Sequence, residues 1–218
     1  MYWHRLLETY ENTQGICPVA HTMITVHIGI MIDKDGNFLC AKDCSTLKEL
    51  TPVPCTVKSE TRTCNIAPHL ISDNYSYIGN INKEKHSAYL KQLKDYVENY
   101  DDVYAKAVYA YVVKGTLEDD LRKFDIADYL PSDNIIFAVK DVGYVNKWTD
   151  YYTQQLPKTD VCYITGEMDY MPSAYPSRIL SPSGKEKLFM QGCGVGYIAS
   201  QKIIHTLQFL NYIKVVEE

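Results

Sequence analysis

Residues 22–32, TMITVHIGIMI, run into 33–37, DKDGN, and then into 38–44, FLCAKDC. In the first run Met23, Ile24, Val26, Ile28, Ile30 and Ile32 alternate with Thr, His and Gly, the period of two that an extended strand requires. Asp35 and Gly36 are residue types that reach positive φ, so 33–37 predicts a tight turn and the whole stretch a β-hairpin. Upstream, Trp3, Leu6, Leu7 and Tyr10 recur at helical spacing, and Gly15 and Pro18 close that helix.

Downstream of the hairpin the pattern changes. From Thr51 to Ile81 the chain is rich in Pro, Ser, Thr, Asn and Cys without a sustained period, which predicts an ordered loop with short extended pieces. Over 83–99 Leu90, Leu93 and Val97 form one helical stripe flanked by Tyr89 and Tyr96. A second helix with Val108, Tyr109 and Val112 ends at Gly115, and Thr116 with Asp119 three residues on predicts an N-cap and its acidic partner. IIFAVKDV (135–142) and VCYIT (161–165) read as strands with a helix around Trp148–Leu156 between them, and a last helix runs from about 197 to 215 through Ile203, Ile204, Leu207, Leu210 and Ile213. The order is irregular, so the fold class is α+β rather than a doubly wound sheet. A subdivision near residue 82 is the expected domain boundary, with the hairpin and loop before it and the mixed part after it.

The chain has 218 residues, 46% hydrophobic and 22% charged, the balance of an ordinary globular protein, with 19 tyrosines as the unusual feature. No run reaches the about 18 to 20 apolar residues of a membrane span, and MYWHRLLETY lacks the apolar core of a signal peptide, so a cytoplasmic protein without membrane partners is expected. The formal net charge of −5 argues against gripping a polyanion with the whole surface. A nucleic-acid site would be local, and basic residues gather at Lys83, Lys85, His86, Lys91 and Lys94 and again at Arg178, Lys185 and Lys187.

Signatures of catalysis and of cofactors are weak. Gly192, Gly194 and Gly196 precede a helix, but no Lys-Ser or Lys-Thr pair follows as a phosphate-cradling loop needs, and they read as a flexible lead-in to the last helix. Cys40, Cys44, Cys55 and Cys64 are separated by 3, 10 and 8 residues rather than paired as zinc knuckles, so no metal or other cofactor is expected. With Cys17, Cys162 and Cys193 they make an odd set of seven that reads as reduced thiols. Cys64, His69 and Asp73 keep a small cysteine hydrolase open as an alternative, although nearness in sequence does not make a triad.

The stretch 62–79, RTCNIAPHLISDNYSYIG, resembles a signature of the large subunit of subtype I-C CRISPR surveillance complexes (Cascade), where Arg-Thr-Ser-Gly-Ile precedes a Pro and then Asp-Asn with a following Tyr and Gly. The likeness continues in order through KHSAYLKQL, AVYAYVVKGTLEDDL, CYITGE and VGYIASQKIIHTLQFL. Cys64 and Asn65 stand where the family has Ser-Gly, the KLFMQGCGVGY segment is shorter than in relatives, and Ile204 takes the place of a family His, with His205 beside it. Relatives are longer, so the resemblance covers their N-terminal portion.

It implies a non-catalytic subunit in antiviral defence that recognises the protospacer-adjacent motif in duplex DNA and supports strand separation, while the guide RNA reads the target. The implied partners are double-stranded DNA, other Cascade subunits and, through them, the crRNA. A protein-binding scaffold without DNA contact is the other reading. The expected DNA-binding residues are Arg62, Asn65, Asn74, Tyr75, Lys83 and Lys85; Asn and Arg carry the paired donors and acceptors that fit base edges and phosphates. The 62–79 loop also has plainer readings, in which Arg62 bridges to an acid, Asp73 caps a turn, Pro68 fixes it and Tyr77 packs in the core, and the lysine cluster can be a solvated helix face.

Overall fold

A computed structural model describes residues 2–176 and 188–217, with side chains placed through Asn211. In chain order the first elements are α1 (Tyr2–Asn12), β1 (His21–Thr25), β2 (Ile28–Ile32), β3 (Phe38–Asp43) and β4 (Leu50–Pro54). They are followed by α2 (Val57–Glu60), β5 (Asp73–Asn74), α3 (Tyr75–Ile78), α4 (Lys83–Asn99), α5 (Val103–Lys114), α6 (Leu117–Arg122) and β6 (Asn134–Val139). The last are α7 (Trp148–Gln155), β7 (Asp160–Val161), β8 (Met168–Asp169) and α8 (Tyr197–Glu217). The fold is α+β, and the chain divides into two compact units, one of residues 22–147 and one that joins 1–21 to 148–218.

In the 22–147 unit a four-stranded sheet has the order β3-β2-β6-β5. β2 and β3 form the hairpin, while β2 and β6 run parallel with Ile28 opposite Ile135 and Ile32 opposite Val139. Alternation sends Ile28, Ile30, Ile32, Ile135, Phe137 and Val139 to one buried face. There Tyr111 of α5 meets Phe137 edge to face at 5.7 Å. The run 22–32 is not one strand: it divides at Val26-His27, where Val26 N–H donates to Glu49 O at 2.9 Å and His27 N–H to Asn134 O at 3.1 Å. β1 therefore pairs with β4 in a separate two-stranded sheet.

The turn is fixed by Asp33, whose Oδ1 accepts from the N–H groups of Asp35 at 2.9 Å and Asn37 at 2.8 Å. Gly36 sits at φ +72°, and a Cβ there would lie 2.7 Å from Tyr111 N and 2.8 Å from Ala107 O. Gly36→Ala is expected to cost about 1–3 kcal/mol, from left-handed strain plus displacement of α5. Equilibrium denaturation is the measurement, and a loss under about 0.5 kcal/mol would mean that the turn and α5 separate freely.

Two sequence expectations shift. On α4 the buried residues are Tyr89, Leu93 and Tyr96, so the tyrosines are the core stripe and Leu90 and Val97 its margins. Their hydroxyls make this possible: Tyr89 OH donates to Ile71 O at 2.7 Å and Tyr96 OH to Asp102 Oδ2 at 2.9 Å. After Gly115 the Thr116 hydroxyl makes no backbone cap and donates to Asp120 Oδ2 at 2.7 Å instead.

In the other unit α1 lies along α8, with Leu6, Cys162, Tyr175, Phe189, Val195, Ala199, Ile203 and Ile204 as its buried cluster. Trp3, Leu7 and Leu207 pack on its margin, whereas Leu210 is exposed. VCYIT is a strand only at its start, because Tyr163–Thr165 already turn toward β8. Among the described residues no helix is long and apolar enough to cross a membrane.

Candidate nucleic-acid interface

The segment between β4 and α4 is built on short local motifs. Thr56 and Ser59 form a capping box: Ser59 N–H donates to Thr56 Oγ1 at 3.0 Å and Thr56 N–H to Ser59 Oγ at 2.8 Å. This gives α2 a helical turn where an extended piece is expected from composition, and α3 is a second such turn.

Past α2 the chain is clamped by one buried ion pair. Asp73 is fully buried, and its carboxylate takes both terminal nitrogens of Arg62, with Nη1 to Oδ2 at 2.7 Å. The remaining lone pairs accept His69 N–H at 2.8 Å and Asn74 N–H at 2.7 Å. Arg62 Nη1 also donates to Ala67 O at 2.7 Å, and its guanidinium lies 4.5 Å from the centre of the Tyr77 ring. Burial works against the guanidinium charge, but the Asp73 carboxylate outweighs it and raises the Arg62 pKa. The Tyr77 hydroxyl accepts Ala67 N–H at 3.2 Å.

Arg62 and Ala67 are thus tied to the same buried group, and the four residues between them, Thr63, Cys64, Asn65 and Ile66, are all exposed. The Tyr77 ring is approached from Lys85 as well, whose Nζ lies 5.2 Å from the ring centre and donates to Ser76 Oγ at 3.2 Å. Ser76 Oγ in turn donates to Asn74 Oδ1 at 2.5 Å.

Arg62, Asn74 and Lys85 therefore belong to one connected network around Asp73, Ser76 and Tyr77. Asn65 is on the exposed tip, and Lys83 is exposed in the first turn of α4, next to the Asn82 cap that accepts Lys85 N–H at 3.1 Å. Tyr75 is apart from these: it is buried, and its hydroxyl donates to Glu118 Oε1 at 2.9 Å and meets Tyr129 OH at 3.2 Å. Burial, Tyr129 and Glu118 together raise its pKa. Of the basic clusters, Lys91 and Lys94 are exposed on α4, with Lys94 3.6 Å from Glu98, and Arg178, Lys185 and Lys187 lie outside the described residues.

The hydrolase alternative finds no relay. Cys64 is exposed, whereas His69 is buried with Nδ1 3.0 Å from Ser59 Oγ, and Asp73 meets His69 through its backbone N–H. Burial lowers the His69 pKa to about 4. Among the described residues no three His, Cys, Asp or Glu side chains gather as metal ligands.

The family model described as CRISPR-associated protein (Cas_Csd1) matches residues 2–186. The chain belongs to the Cas_Csd1 family. This is the family of the type I-C large subunit, the same one that the 62–79 and 162–167 motifs resemble. No curated protein matches the chain. In this Cas_Csd1 chain the signature residues Arg62, Asp73, Asn74 and Tyr77 are neighbours in space, and the Cys64-Asn65 departure falls on the exposed tip. Composition could not reveal Ser76, or the approach of Lys85 to Tyr77, because both depend on how α3 meets α4.

Proposed function

We propose that this Cas_Csd1 chain is a non-catalytic DNA-reading subunit of a crRNA-guided surveillance complex, and that the tip Thr63–Ile66 meets the protospacer-adjacent motif in duplex DNA. The observation that carries this reading is the exposed four-residue tip held at both ends by the buried Arg62–Asp73 pair. A reading loop needs a rigid base, since a loop that must be ordered on binding loses affinity to that ordering. Asn65 offers an amide with one donor and one acceptor group to base edges. Lys83 and Lys85 supply charge for phosphates, the sequence-independent part of such contacts. Arg62 acts from behind as a positioning residue, its guanidinium being spent on Asp73 and Ala67, and Asn74 does so through Ser76. Tyr75 supports α3 from the core.

The test uses the assembled complex. Asn65→Ala is expected to reduce preference for motif-bearing over scrambled duplex by about 5- to 150-fold, the value of one good base contact, with non-motif binding unchanged. Lys83→Ala is expected to weaken all duplexes alike and to lower the salt slope by about one unit. Full motif preference in Asn65→Ala, together with an unchanged slope in Lys83→Ala, would remove the tip from DNA recognition.

A further inference from the structure

Asn74 stands at the N-cap of α3, where an Asn side chain ordinarily accepts an N–H of the first turn, yet it makes no cap hydrogen bond. The donors nearest the cap are already used: Tyr75 N–H donates to Asp133 O at 2.8 Å and Ser76 N–H to Pro131 O at 3.0 Å. The amide oxygen is turned to a side chain instead, the Ser76 hydroxyl, 2.5 Å from Oδ1. Asn74 gives only this half of its amide to the network around Asp73.

The polarity of the contact is fixed from its far side. Lys85 Nζ lies 3.2 Å from Ser76 Oγ, and an ammonium can only donate. Ser76 is buried, so its single hydroxyl proton needs an acceptor, and among the described residues the side-chain acceptor it meets is Asn74 Oδ1. Lysine, serine and amide thus form a one-way chain, from Nζ–H to Oγ and from Oγ–H to Oδ1. A flipped amide would aim Nδ2 at the hydroxyl and leave the serine proton without an acceptor. With the oxygen held by Ser76, Nδ2 is the half that is left over. Asn74 is half-exposed, and Nδ2 bonds to no protein group among the described residues.

We propose that Ser76 and Lys85 set the Asn74 amide so that it shows only donors outward, and that Asn74 reads a hydrogen-bond acceptor on one base edge of the motif. This rests on the DNA reading above and adds a chemical sense to it. Asn74 directly follows Asp73, the anchor of the tip, and it selects for a base edge that accepts and against one that donates. An asparagine able to flip offers both halves of its amide and takes either kind of edge. The chain of donors behind Asn74 removes that choice, which makes Ser76 a positioning residue for specificity.

The base-preference profile of the assembled complex on duplexes randomised over the motif tests this. Asn74→Asp keeps the shape and turns an acceptor outward, so preference at one motif position is expected to move by about fivefold or more from acceptor-bearing to donor-bearing bases, the worth of one hydrogen bond. A move toward guanine would place that edge in the minor groove, where its N2 amino group is the donor, and a move toward cytosine or adenine in the major groove. Ser76→Ala lets the amide turn and is expected to flatten the same position by about threefold, while the position that Asn65→Ala abolishes is still read. General loosening of α3 would blur both positions, and Ser76→Ala also keeps the idea testable should the aspartate variant fold poorly. If Asn65→Ala loses its own position while Asn74→Asp and Ser76→Ala both leave the profile unchanged, this proposal is overturned and the DNA reading stands. If Asn65→Ala also keeps full motif preference, the DNA reading falls and this proposal with it.

Discussion

Lowering the pH from 7 to 5 is expected to remove about 6 kcal/mol of folding stability, because three histidines are buried in their neutral form. His21, His69 and His205 are each held down to about 4, with desolvation as the largest cause in all three. Their Nδ1 atoms meet Val19 O at 3.1 Å, Ser59 Oγ at 3.0 Å and Cys17 O at 2.9 Å. A carbonyl can only accept, so in His21 and His205 Nδ1 carries the proton of a neutral ring. In the unfolded chain these groups titrate near about 6.5. The unfolded state therefore binds protons that the folded state refuses as pH falls from about 6.5 toward 4, and stability is full above that window and lost within it. At pH 5 each site costs about 2 kcal/mol, which is about 4 kcal/mol in the unit that holds His21 and His205 and about 2 kcal/mol in the unit that holds His69, large against the about 5–15 kcal/mol that holds a domain together.

Denaturant titrations at pH 7, 6 and 5 check this. His205→Gln should flatten the dependence by one proton. A stability unchanged between pH 7 and 5 would mean that these rings reach solvent in the native state.

Replacing Asp73 by Ala has the next largest expected effect, about 3–5 kcal/mol. The loss is not the removal of a favourable pair so much as what it leaves: a mostly buried guanidinium with no counter-charge, and the N–H groups of His69 and Asn74 without an acceptor. Arg62→Ala leaves Asp73 two backbone donors and is expected to cost less. The pair should therefore show a strong coupling in a double-mutant cycle. Protease cleavage between Arg62 and Ala67 should accelerate in both variants, since the tip loses its anchors. A loss below about 1 kcal/mol in Asp73→Ala would show that solvent reaches the pair.

Much of the fold is legible where period and punctuation agree. α4 begins and ends where the 83–99 stripe places it, and α5 stops at Gly115. The division of 22–32 was hidden because the alternation continues through Val26-His27, and only the partners Glu49 and Asn134 end one strand and start the next. Spacing sets the tyrosines of α4 beside the Leu90, Leu93 and Val97 stripe; their acceptors, Ile71 O and Asp102, become visible only once the chain is folded. At the site, the choice for Arg62 between reaching outward and bridging to an acid depends on an ion pair across 11 positions, which spacing cannot decide.

The unit that joins residues 1–21 to 148–218 has a consequence for synthesis on the ribosome. α1 emerges before the 22–147 unit, but its packing partner α8 begins only at Tyr197, so its Trp3, Leu6 and Leu7 stripe waits for almost 200 further residues. At about 5–20 residues per second that is about 10–40 s, long enough for the intervening 22–147 unit to fold on its own. During this interval the apolar stripe of residues 3–7 stays without its packing partner, and a helix as short as α1 is marginal alone, so α1 settles only when α8 arrives.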